Sequence, residues 1–224
     1  MDLEPLYDKE VTCPNCNLAF YSKKIRSRFI RVNEVFNDYS KDYKDEQLNP
    51  VLYEISVCSA CGYGFNEQFD PILKPSIKEQ FNQKVSKYWT SQDFSGTRSY
   101  ENSVKTYKLA ILSAEITNQP YIVRGSLCMK LSWLFRTMNE KQEEIRFIEM
   151  ALEQFEDSYK HGDFIQKSVS ELMLLFLLGE YYRKVGKKEQ SINYFSKVIQ
   201  HKDKQKEAAI VEKAREQWQE ARAM

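Results

Sequence analysis

The sequence predicts a mainly α chain, an antiparallel helical repeat preceded by a small N-terminal β-containing module. Three observations predict it. From Pro75 onward, apolar residues recur at helical spacing. Glycine and proline number only 7 and 6 in 224 residues, which disfavours a β-sandwich with many turns. Four of the five cysteines fall into two C-x-x-C pairs before residue 62, in a region without helical periodicity. A hydrophobic content of 42% with 29% charged residues suits a chain that buries a core.

The cysteine pairs set the chemistry of the first module. Cys13 and Cys16 (CPNC) and Cys58 and Cys61 (CSACG) are separated by 41 residues. A C-x-x-C turn folds back so that both sulfurs face one point, and two such knuckles complete a tetrahedral thiolate shell. The four cysteines are therefore expected to hold one structural Zn2+ with no position left for a catalytic water. Pro14 stiffens the first turn, and Gly62 follows the second, where a positive φ is often needed. The competing readings are a redox-active C-x-x-C and two unconnected pairs that bind nothing.

The spacer exceeds that of a simple zinc ribbon, so it must form structure of its own. Ile25–Val32 and Val51–Val57 read as strands that pair antiparallel and bring the knuckles together. In the second, Val51, Tyr53, Ile55 and Val57 share one face. The polar stretch NDYSKDYKDEQLNP between them reads as the far turn. Lys23, Lys24, Arg26, Arg28 and Arg31 form a basic cluster, read as a solvated strand face with nucleic-acid contact as the alternative. Phe20, Tyr21 and Phe29 are expected to cover the small metal core.

A helix is expected from Pro75, opened by a Ser76–Glu79 capping box, with Ile77, Phe81, Val85 and Tyr88 on one face. Further helices are expected near 100–118, 121–138, 141–160, 164–185, 188–201 and 204–223. Gly162 suits a C-terminal cap. The last helix has a stripe of Val211, Ala214, Trp218 and Ala221. The expected organisation is a zinc-ribbon-like module over 1–74, a connecting helix and linker over 75–98, and a helical domain over 99–224.

The helices repeat at an offset of 47 residues. Leu131 falls on Leu178, Ser132 on Gly179, Phe135 on Tyr182 and Arg136 on Arg183. In the following helix Phe147 falls on Tyr194, Ile148 on Phe195 and Ala151 on Val198. The second copy resembles a tetratricopeptide (TPR) unit: Leu175, Leu178, Gly179 and Tyr182 fill W-x-x-L-G-x-x-Y, and Ser191 and Phe195 fill A-x-x-x-F. Leu175 replaces the tryptophan, and Asp203 stands where the motif has proline. Trp133 and the aromatics around it are read as inter-helix packing, and Cys128 as an inert core thiol.

The combined layout resembles a bacterial family of uncharacterised proteins known only as a domain of unknown function. The resemblance rests on YDKEVTCPNCNLAF, NPVLYEISVCSACGYGF, LSWLFR and the terminal TPR-like unit. It implies an N-terminal four-cysteine segment, on Cys13, Cys16, Cys58 and Cys61, followed by TPR-like helices. Asn17 departs from the glycine a knuckle often has there. No activity follows from the resemblance.

The function expected is a non-catalytic interaction or adaptor protein with a TPR-like surface for a protein or peptide partner, and homodimerisation as a further possibility. The alternatives are a zinc-ribbon regulator associated with nucleic acid and a cysteine-based redox or metal-responsive switch. A net charge of +1 argues against nucleic-acid binding through bulk charge. The longest apolar run, eight residues from Leu172, is too short to span a bilayer. The N-terminus MDLEPLYDKE is acidic and unlike a secretory signal, so a cytoplasmic location is expected. No nucleotide-binding or metalloprotease string occurs, and no catalytic residue is assigned. His161 and His201 lie beside helix ends and read as solvated residues there.

Overall fold

A computed structural model of the protein describes residues 3–224. Among them are six short strands in three antiparallel pairs and seven α-helices. The chain divides into two compact units. One runs to Val35 and resumes over Lys41–Gln119; the other comprises Phe36–Ser40 and Pro120–Met224.

The first unit opens on a hairpin of β1 (Leu6–Thr12) and β2 (Ala19–Ile25), in register from Leu6 opposite Ile25 to Thr12 opposite Ala19. β3 (Val32–Val35) and β4 (Lys41–Tyr43) form a second ribbon. β5 (Ser56–Val57) and β6 (Gly64–Phe65) form a third, very short one. The expected pairing of 25–32 with 51–57 does not form. Residues Ser27–Phe29 make a 3-10 turn, and so do Pro50–Tyr53, where Pro50 sits at the start and Asn49 Oδ1 accepts from Val51 N–H at 2.9 Å. Val51, Leu52, Tyr53, Ile55 and Val57 are all buried. The apparent alternation reflected a segment covered on every side.

Two helices complete this unit. α1 (Pro75–Lys84) starts on Pro75 at its first turn, and its N-cap is Lys74, so the expected Ser76 capping box is not used. The fixed φ of proline pre-organises that first turn. Only Phe81 of the expected stripe is buried, and Tyr88 is 74% exposed. α2 (Tyr100–Ile116) is capped by Ser99, whose hydroxyl accepts from Asn102 N–H.

α2 packs with the β-rich segment, and the unit that holds both runs to Gln119. The reason is a close approach at Gly64. A Cβ there would lie 2.7 Å from the Ala110 nitrogen, so only glycine lets β6 lie on the helix backbone. Gly64 N–H also donates to Ser113 Oγ, and Ser103 Oγ donates to Leu52 O. Arg98, 2% exposed, ties this segment from within. Its guanidinium donates to Leu52 O, Ile55 O and Phe94 O, and burial pulls its pKa down to about 10.

The second unit contains α3 (Tyr121–Thr137), α4 (Lys141–His161), α5 (Glu171–Lys184), α6 (Lys188–Gln200) and α7 (Ala208–Ala223). Gly162 caps α4 in the left-handed region, φ +71°, as the sequence indicated. The helix expected from 164 begins at Glu171 instead. Ser168 turns the chain with φ +57°, and the Ser170 hydroxyl caps α5 by accepting from Met173 N–H. The last helix likewise starts at Ala208 rather than 204.

The α3–α4 and α5–α6 hairpins are built alike, at the offset of 47. Phe135 stacks on Phe147 at 5.4 Å, and their counterparts Tyr182 and Tyr194 stack at 5.5 Å. The turns match as well. Asn139 (φ +59°) and Gly186 (φ +76°) occupy equivalent positions, and Glu140 N–H to Phe135 O matches Lys187 N–H to Tyr182 O, both 2.9 Å. Each hairpin also seats a phenylalanine ring on a glycine, at positions the offset does not relate: Phe155 on Gly125 and Phe195 on Gly179. Trp133 donates its indole N–H to Tyr181 Oη at 3.1 Å, and Cys128 is buried in α3.

Candidate metal centre

Each cysteine pair sits at the tip of a hairpin. The first knuckle joins β1 to β2: Cys13 N–H donates to Leu18 O and Asn17 N–H to Cys13 O, both 2.9 Å. The second joins β5 to β6 by the same pattern, Cys58 N–H to Tyr63 O at 3.0 Å and Gly62 N–H to Cys58 O at 2.9 Å. Asn17 adopts φ +63° where its counterpart Gly62 adopts φ +75°. Asparagine tolerates the left-handed region, so it makes the turn that a glycine makes in the other knuckle.

The two hairpins bring the sulfurs of Cys13, Cys16, Cys58 and Cys61 within 4.8 Å of one another. Cys13 Sγ lies 3.6 Å from Cys61 Sγ, and Cys16 Sγ 3.6 Å from Cys58 Sγ. An ion bound by four thiolates at about 2.3 Å has its sulfurs about 3.8 Å apart in a tetrahedron. The donor set therefore fits a metal ion. The contact with Cys58, then that with Cys61 and burial, push the Cys13 thiol well up, while Cys58 is drawn down chiefly by Cys13. Four thiolates packed this closely are stable only around positive charge.

The outer shell joins the knuckles to residues between 75 and 98, the stretch expected as a connecting helix and linker. Asn15, 4% exposed, donates its amide to Asn82 Oδ1 of α1 at 2.8 Å. Ser86 Oγ lies 3.1 Å from Cys61 O, and the Trp89 indole N–H donates to Ser59 O at 2.8 Å. The Trp89 ring lies over Gly62, where a Cβ would come within 2.7 Å of it. Such contacts fix ligand orientation and tune the sulfurs. The positive-φ glycine was legible in the sequence; Trp89 and Asn82 are too distant from the knuckles for spacing to reveal. Cys13, Cys58 and Cys61 are buried, whereas Cys16 is exposed.

Of the aromatics expected over this centre, Phe20 packs edge-on to Phe65 at 6.3 Å. Tyr21 is 57% exposed and Phe29 lies under Arg28, so neither covers it. Tyr63, which directly follows the second knuckle and its glycine, is buried and packs edge to face on the buried Phe81, 5.0 Å away. The basic cluster is largely engaged within the unit. Lys23 pairs with Asp8 at 2.8 Å, and Arg26 donates to Glu4 O and lies over the Tyr7 ring. Lys24 donates to Tyr53 O and Glu54 O, and burial lowers its pKa. His201 is not a solvated helix-end residue. It lies 3.4 Å from Glu171 and accepts from Asp203 N–H, while His161 stacks on Tyr121. No helix among the described residues is long and apolar enough to cross a membrane.

Residues 6–221 match a family described as "Uncharacterized protein conserved in bacteria (DUF2225)". No curated protein and no solved structure matches the chain. The family match takes in both cysteine hairpins and extends into α7, and the chain belongs to this bacterial family.

Proposed function

We propose that the protein is a non-catalytic adaptor of the cytoplasm, in which one zinc ion closes the N-terminal hairpins and a TPR-like helical surface holds a protein or peptide partner. The observation that carries the metal half is the convergence of four sulfurs within 4.8 Å at the tips of two matched knuckles. Zinc is the ion chosen because four thiolates in a tetrahedron are its usual structural shell. Four protein ligands leave no site for a substrate or water, so the ion's role is to hold the fold. Reduced thiols on two knuckles suit a reducing compartment.

The adaptor half is supported by the two helical hairpins of like construction. Their equivalent stacked pairs, Phe135–Phe147 and Tyr182–Tyr194, and their equivalent positive-φ turns are what stacked TPR-like units need. Such stacks present an extended surface suited to a chain segment. The test is affinity capture of the full chain from a bacterial lysate. The reading expects a defined partner that is lost when surface residues of α3 and α5 are changed and retained when exposed β3 residues are changed. Capture of no partner, or of one indifferent to the α3 and α5 changes, contradicts it.

A further inference from the structure

The segment Phe36–Ser40 belongs to the helical unit although it lies between β3 and β4 in sequence. Asp38 in it has no exposed surface. Its Oδ2 lies 2.7 Å from Arg136 Nη2 and 3.3 Å from Lys184 Nζ, and its Oδ1 accepts from Ser40 N–H and Oγ–H. Arg136 also donates from Nη1 to Ser40 Oγ at 2.9 Å, so one guanidinium reads both residues. Glu144, 2.6 Å from Arg136 Nε, fixes the orientation of that guanidinium. Tyr39 meets Phe176 edge-on at 5.7 Å, and Lys213 Nζ lies 4.6 Å over its ring.

Three features mark this as recognition of a ligand. Within the helices Arg136 is paired to Glu144 and Arg183 to Glu180, with Glu220 also acting on Arg183, whereas Lys184 Nζ meets the Asp38 carboxylate, which comes from outside the helices. Tyr39 is held at φ +62°, a conformation an aromatic residue keeps only where its surroundings impose it. A turn that merely joined two strands would place glycine or asparagine there. Finally, Asp38, Tyr39 and Ser40 are each engaged by a different chemistry: ion pair, aromatic edge with cation–π, and hydroxyl.

We propose that the α3–α5–α7 face is a recognition site for an Asp–aromatic–hydroxyl turn of a protein partner, and that Phe36–Ser40 is its tethered occupant. The proposal rests on the adaptor reading and names the partner's chemistry. A partner turn competes with the internal segment, which acts at the high effective concentration of a covalent tether.

The test uses the full chain and a fluorescent peptide spanning Val32–Tyr43, with binding followed by anisotropy. The double variant Asp38→Ala/Tyr39→Ala empties the site and is expected to bind the peptide at least about tenfold more tightly than the natural chain. Adding Arg136→Gln, or replacing the peptide's aspartate with asparagine, is expected to abolish that gain. A folded double variant that takes up no peptide, or takes up the asparagine peptide equally well, overturns the proposal. Should the double variant fail to fold, a chain with Gly-Ser extensions flanking Phe36–Ser40 lowers the tether's effective concentration. It is then expected to take up the peptide, and failure to do so overturns the proposal. Dimers of the extended chain without peptide uptake also overturn it, in favour of loop exchange between copies. A captured partner that depends on α3 and α5, alongside absent peptide binding, refutes this inference while leaving the adaptor reading standing.

Discussion

Replacing Asp38 by asparagine keeps the side-chain shape and removes the charge, so it isolates the ion cluster of the helical unit. Burial alone would raise the Asp38 pKa, but the hydrogen bond and charge of Arg136, with Lys184 and Ser40 adding to them, outweigh it and hold the group down at about 2. A depressed carboxylate pKa stabilises the folded state above its unfolded value and ceases to do so as pH falls through the folded one. The unfolded reference is 3.8, and a difference of this size corresponds to about 2 kcal/mol at neutral pH. Only about half of that remains at pH 3, and little remains near pH 2. Asp38→Asn is therefore expected to destabilise the helical unit by about 2–4 kcal/mol at pH 7, the upper end reflecting cations left unpaired. The assay is urea unfolding of both proteins at pH 7, 4, 3 and 2.5, followed by the fluorescence of Trp133 and Trp218. Equal stability at pH 7, or a gap that does not narrow between pH 4 and 2.5, refutes the reasoning.

Three further outcomes follow from close contacts. Gly62→Ala puts a Cβ 2.7 Å from the Trp89 ring at φ +75°, so it should cost about 1–2 kcal/mol for the backbone plus a similar amount for overpacking. It should speed metal loss to a chromogenic chelator, whereas Asn17→Gly should leave that rate nearly unchanged because asparagine already tolerates the same turn. Gly179→Ala meets Phe195 at 2.7 Å, and that ring is fully buried with nowhere to retreat. A net loss of about 1–3 kcal/mol is expected by denaturant titration even after the better helix propensity of alanine. Cys58→Ser should abolish metal retention and strip the first unit of its near-ultraviolet circular dichroism, while helical far-ultraviolet signal from α3 to α7 persists.

The knuckles were legible because their chemistry is local. Two cysteines three residues apart with a left-handed residue following them specify the turn, and Asn17 and Gly62 both obey it. Helices α3, α4 and α6 were legible from apolar spacing, and Gly162 from its cap position. The strands were misplaced for a different reason. Ile25–Val32 and Val51–Val57 have β-type composition, but Pro50 and total burial favour a 3-10 turn for part of the second. β1 escaped notice because LYDKEVT alternates weakly, with charges on its exposed face. The Ser170 cap directly before Glu171 was present in the sequence and could have placed the start of α5. The burial of Asp38 had no local signal at all. Its partner Arg136 lies 98 residues away, and a polar, turn-rich stretch ordinarily stays in water.

The most direct measurement is elemental analysis of the purified full chain, paired with thiol titration before and after chelation. The account predicts one zinc per chain, with four thiols that react only once a chelator has removed the ion. A metal-free protein whose Cys13, Cys16, Cys58 and Cys61 react freely at the outset would contradict it.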